Sequence, residues 1–182
     1  MKKLTFGLVL LAAGLIFSST VFGQKKNAIK VNIFSPIVRT GSFFYERALN
    51  EGASAQLGFF YTGYKITDTK FSGFGITPEF RFYPSKKEDM KGFYLAPFLR
   101  YQSFTLEDEG LVVSKGTLST FGGGLLIGGQ FLFGDIVTLD IFIGPGYNSG
   151  SIKVDSGNES AFSTGAFDGF GVRTGVTIGL AF

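Results

Sequence analysis

In successive segments from residue 27 to the end, apolar residues recur at every second position. A period of two belongs to the β-strand, where successive side chains point to opposite faces, whereas helices repeat every 3.6 residues. The stretch "FGITPEFRFY" (74–83) shows it plainly. Phe74, Ile76, Pro78, Phe80 and Phe82 share one face; Gly75, Thr77, Glu79, Arg81 and Tyr83 share the other. A chain patterned this way is restricted to all-β folds.

Eight such segments are bounded by turn residues: 27–35, 42–49, 54–65, 74–83, 92–104, 117–133, 137–147 and 170–182. One set of connections is short or polar, at 49–53, 84–91 and 133–136. The other set contains longer stretches at 105–116 and 149–166, with shorter ones at 35–41 and 66–70. Short turns at one end and longer loops at the other are the pattern of an up-and-down membrane barrel. No second domain or long-period repeat is visible.

Which face points outward follows from volume. The apolar face carries some thirty large side chains, and an eight-stranded lumen holds little more than its own lining. That face therefore looks out, and the face rich in Gly, Ala, Ser and Thr looks in. Charge agrees. Lys30, Glu46, Glu79, Arg81, Arg100, Asp140 and Arg173 lie within strand bodies and all share the inward parity. On the apolar faces only Arg47 is charged, at the end of the second segment. A basic residue facing lipid at mid-bilayer costs about 2–4 kcal/mol, while buried charges are tolerated when paired. The seven inward charges are expected to form an ion-pair network that plugs the lumen. Aromatic residues fall towards the two ends of the apolar face, as the interfaces of a bilayer favour. Pro78, Pro97 and Pro145 fall on the outward parity, and local bulges are expected there because proline cannot donate to a ladder.

The first residues carry a different signal. "MKKLTFGLVLLAAGLIFSSTVFGQ" has a basic start (Lys2, Lys3), an apolar run from Leu4 to Phe17 and small residues before Gln24. This predicts a secretory signal peptide over 1–23 and a barrel over 24–182. The run is too short for a spanning helix, which needs about 20 residues. Without residues 1–23 the chain keeps 15 basic and 14 acidic residues. That balance, with no basic patch, gives no case for nucleic acid.

"FGITPEFRFYP", "FLRYQSF", "STFGGGLLIGGQFLF", "LDIFIGPGYNSGS" and "FDGFGVRTGVTIGLAF" resemble small Gram-negative outer-membrane β-barrel proteins of a domain-of-unknown-function family. Their architecture is similar to OmpX and to the barrel domain of OmpA. The resemblance covers nearly all of 24–182 and implies an eight-stranded antiparallel barrel in the outer membrane, contacting lipid and lipopolysaccharide, as a monomer. It also implies that Ile178, Leu180 and Phe182 form the signal read by the barrel assembly machinery. Such signals often place glycine five residues before the end, where this chain has Thr177.

The expected role is non-enzymatic: structural, or surface interaction through the loops at 105–116 and 149–166. Histidine and cysteine are both absent, which removes the usual ways of activating a nucleophile. No cofactor or metal is expected, and Glu79 with Asp140 reads as lumen ion pairing rather than as an acid–base pair. Two alternatives stay open: a narrow pore, and a soluble periplasmic lipid-binding barrel with its faces inverted.

Overall fold

The computed structural model describes residues 25–66, 69–85, 90–108, 114–156 and 168–182. The expected targeting segment at 1–23 lies outside them. Eight strands are present: β1 (Asn27–Asn32), β2 (Thr40–Asn50), β3 (Ala53–Ile66), β4 (Thr69–Phe82), β5 (Gly92–Asp108), β6 (Ser114–Phe133), β7 (Val137–Ser156) and β8 (Gly169–Ala181). Each pairs antiparallel with the next, and β8 pairs with β1, so the sheet closes into a barrel without edges. The closing seam runs from Ala28↔Ala181 through Lys30↔Gly179 to Asn32↔Thr177.

The chain ends and the turns after β2, β4 and β6 share one rim, the terminal end. The other four connections share the distal end. The turn after β6 is set by Gly134 and Asp135, with φ of 56° and 58°. Two positive φ values in succession make the type I′ turn, whose twist suits a tight hairpin. Ile136 N–H donates to the Phe133 carbonyl at 3.2 Å to close it. After β1, the Asn32 side-chain carbonyl accepts the N–H groups of Phe34 (2.9 Å) and Ser35 (3.2 Å). This Asx turn ends the strand and leads into one 3-10 turn, Ser35–Val38.

Several strands run further than alternation indicates. β5 continues to Asp108, β6 begins at Ser114 and β7 continues to Ser156, so 105–108, 114–116 and 149–156 are ladder rather than loop. The sequences "TLED" and "SIKVDS" carry no apolar residue on the outward parity. Each nevertheless has a neighbour to pair with, as in Thr117↔Lys153 and Leu118↔Ile152. Pairing of main chains needs no apolar face.

The prolines do not produce bulges. Pairing of β4 with β5 stops after Ile76↔Tyr101, recurs at Glu79↔Phe98 and again at Phe82↔Leu95, all in one register, with gaps around Pro78 and Pro97. β6 and β7 likewise pass from Gly124↔Gly146 to Ile127↔Ile143 opposite Pro145. Along its other edge, Pro97 keeps an ordinary position opposite Leu125. The ladder opens locally without slipping. A one-residue slip would turn every following side chain to the wrong face, which costs far more than one lost donor.

Burial is inverted relative to a soluble domain. Lys30, Glu46, Arg81 and Asp140 are 0% exposed, while Phe121 is 59% and Ile127 47% exposed. Large apolar side chains cover the outside of every strand, and an apolar surface this continuous marks a membrane or partner contact. Aromatic neighbours line its distal margin: Tyr61 opposite Phe74, Tyr101 opposite Phe121, and Tyr147 against Phe170 at 5.1 Å between ring centroids. Arg47 is exposed, near the terminal end.

Candidate functional site: the barrel lumen

The terminal half of the lumen holds three buried carboxylates, each tied to cations on other strands. Glu46 on β2 accepts a 2.5 Å bond from Lys30 Nζ of β1 and lies 3.5 Å from Arg81 Nη1 of β4. Its other oxygen accepts from Ser54 Oγ (2.5 Å) and Tyr83 Oη (2.8 Å). Asp140 on β7 accepts from Arg81 Nη1 at 2.8 Å, Tyr94 Oη at 2.7 Å and Lys30 Nζ at 3.3 Å. Glu79 on β4 accepts from Arg173 Nη2 of β8 at 2.6 Å, Gln56 Nε2 at 2.9 Å and Arg81 Nη2 at 3.3 Å.

Gln130 on β6 completes the cluster. Its side-chain carbonyl accepts from Lys30 (2.7 Å) and Arg81 (3.2 Å), and its amide donates to the Met90 carbonyl at 2.7 Å. Arg81 is the hub, stacked 4.3 Å from the Tyr94 ring centroid. Charges this deep are tolerable because nearly every lone pair has a donor. The Glu79 and Asp140 carboxylates have their oxygens occupied by donors, which leaves neither placed as a free base.

Six of the seven inward charges are thus joined, and Arg100 is not. Its guanidinium sits 5.2 Å from the Phe60 ring centroid, and its Nε is buried without a hydrogen-bond partner. Arg173 holds Glu79 with one nitrogen, but its buried Nη1 has no partner. It also lies 5.0 and 4.9 Å from the rings of Phe98 and Phe142.

The network does not fill the whole lumen. Above it, towards the distal end, lies a cavity of about 720 Å³ lined by Arg100, Arg173, Phe44, Phe60, Phe104 and Gln102, among others.

Sequence reasoning placed the charges but missed their neutral partners. Tyr83, Tyr94, Gln130, Gln56 and Ser54 carry much of the hydrogen bonding, and all are inward by parity. The inward aromatics were also missed. They fit because each faces a glycine on the next strand: Phe44↔Gly58, Phe60↔Gly75, Tyr94↔Gly128 and Phe142↔Gly175. A Cβ on Gly128 would stand 2.5 Å from the Tyr94 hydroxyl, and one on Gly175 2.5 Å from the Phe142 ring. The signal for these pairs was available as alternating Gly and Phe on facing inward positions.

Ile178 and Leu180 face outward on β8, opposite Val31 and Ile29. Phe182 ends the seam, its N–H donating to the Asn27 carbonyl at 2.8 Å and its carbonyl accepting from Asn27 N–H at 3.1 Å.

A solved structure shares this architecture. A major outer membrane protein from Thermus thermophilus is similar with a TM-score of 0.53 and 14% identity, over 86% of this chain and 99% of that one. The N-terminal β-barrel domain of Pseudomonas aeruginosa OprF is similar with a TM-score of 0.44 and 12% identity, over 88% of this chain and 99% of that domain. At such identities the likeness to the Thermus protein is one of fold. No curated protein matches the chain. The profile of DUF3575, described as a protein of unknown function, matches residues 6–155, and over that span the chain belongs to the DUF3575 family.

Proposed function

We propose that the protein is a non-enzymatic, monomeric integral barrel of a Gram-negative outer membrane, exported through residues 1–23. It meets lipid and lipopolysaccharide with its outer face and presents its distal connections as a structural or surface-interaction element. The observation that carries this reading is the inverted burial: charge inside, a continuous apolar face outside. A soluble lipid binder needs the opposite arrangement. In this reading the chain inserts through the assembly machinery, with Ile178, Leu180 and Phe182 as the recognised end. The ion-pair cluster closes the terminal half of the bore, so the barrel does not conduct.

Fractionation tests the location: the protein is expected in the outer-membrane fraction with a heat-modifiable band, and recovery from the soluble periplasm overturns the reading. Planar-bilayer recordings test closure, since a stable large conductance is incompatible with the cluster. Replacing residues 157–167 with a short Gly-Ser linker should leave the heat-modifiable band intact if that connection is only displayed.

A further inference from the structure

Among the seven described inward charges of the strand bodies, cations outnumber acids by one. Lys30, Arg81, Arg100 and Arg173 face Glu46, Glu79 and Asp140, and the six joined groups are neutral among themselves. The surplus positive charge is Arg100, which lines the distal cavity beside Arg173. Arg100 Nε and Arg173 Nη1 are enclosed by protein without a partner, as is Arg81 Nε within the cluster, so it is the remaining guanidinium face of Arg100 that the cavity meets. The one acid among the described lining residues, Asp168, belongs to the start of β8 at the distal rim, where it accepts the Gly150 N–H at 3.1 Å.

The walls are of another character. Phe44, Phe60, Phe71 and Phe104 line the cavity, with Phe60 and Phe104 rings 6.1 Å apart and Phe71 and Phe104 stacked at 5.4 Å. The floor is closed by the ion-pair cluster. About 720 Å³, lined by these rings together with polar side chains such as Ser42, Thr62, Gln102 and Asn148, is the size of a small-molecule site.

We propose that this distal cavity binds an amphipathic monocarboxylate, its carboxylate held by Arg100 and Arg173 and its aromatic or hydrocarbon body against the phenylalanine walls. One carboxylate balances Arg100, the cation that the ion-pair cluster leaves over. Guanidinium donors match a carboxylate in geometry, and the rings supply apolar contact. Because the cavity is blind, the barrel holds such a ligand rather than passing it.

The test uses 2-naphthoate as the probe, with the full chain in phosphatidylcholine nanodiscs and empty nanodiscs as background. The chain contains no tryptophan, so naphthoate fluorescence excited beyond the tyrosine band is free of protein signal. Saturable binding is expected, with the uncharged 2-naphthalenemethanol at least tenfold weaker on the same unmodified chain. Arg100→Gln is expected to weaken naphthoate at least tenfold and leave the alcohol unchanged. No saturable binding, equal binding of acid and alcohol, or an unaffected Arg100→Gln variant that still shows the heat-modifiable band would overturn the proposal. If that variant does not fold, the acid–alcohol comparison on the unmodified chain decides. Failure here leaves the outer-membrane reading standing, because fractionation tests that separately.

Discussion

Replacing Arg81 with methionine keeps most of the side chain's length and removes its charge. The guanidinium it deletes touches Asp140 at 2.8 Å, Gln130 at 3.2 Å, Glu79 at 3.3 Å and Glu46 at 3.5 Å. The carboxylates are not affected equally. Glu46 keeps Lys30 at 2.5 Å, and Glu79 keeps Arg173 at 2.6 Å. Asp140 keeps only Tyr94 and a 3.3 Å contact with Lys30, so the uncompensated charge falls mainly there. Charge-assisted bonds contribute about 1.5–3 kcal/mol each, but these share one guanidinium and the lumen relaxes. Removing one partner of a buried pair costs about 3–5 kcal/mol, which is the expected loss. At a urea slope of about 2 kcal/mol per molar, the midpoint should fall by about 1.5–2.5 M. The assay is urea unfolding in lipid vesicles, with the folded fraction read from the heat-modifiable band. The argument further requires that Arg81→Met with Asp140→Asn cost less than the sum of the two single changes, by at least about 1 kcal/mol. A loss below about 1 kcal/mol for Arg81→Met, or strict additivity, would refute the hub.

Tyr94→Phe deletes the 2.7 Å bond to Asp140 and should cost about 1.5–3 kcal/mol in the same assay. Tyr45→Phe deletes a 2.8 Å bond to Asn27 at an exposed position and should cost under about 1 kcal/mol; equal effects would show that lumen burial does not matter. Ile127→Lys, on the outward face of β6, should cost about 2–4 kcal/mol in vesicles if the face meets lipid, and a neutral result counts against a bilayer contact. Gly128→Val places a branched side chain where a Cβ already meets the Tyr94 ring. About 1–3 kcal/mol of overpacking is expected, relieved at least in part by adding Tyr94→Ala, and no relief would break the proposed pairing.

The strand set and the assignment of faces were readable because both rest on a period of two, and the sequence keeps that period wherever one side must be apolar. Beyond the apolar belt the selection weakens, so the polar extensions of β5 and β7 could not be told from loops. Hydrogen bonding to β6 makes them strand, and no side chain announces it. The inward charges were readable from parity alone. Which of them join was not: Arg100 and Arg173 share a face and a residue type, yet only Arg173 comes within reach of Glu79. That depends on barrel shear, which brings β8 and β4 to a common height across the lumen. The prolines misled for a related reason. Local chemistry favoured a bulge, and the fixed register of both flanking stretches prevailed.

Every strand supplies a member of the lumen cluster: Lys30, Glu46, Gln56, Arg81, Tyr94, Gln130, Asp140 and Arg173, in chain order. β1 is the shortest of the eight, with six residues, yet its Lys30 reaches across to both β6 and β7. A half-zipped sheet therefore holds carboxylates without their cations, and no partial assembly of strands satisfies the set. The seam between first and last strand is where stability arrives all at once. This barrel should insert and close as a single cooperative event, with open intermediates disfavoured by their own unbalanced charge.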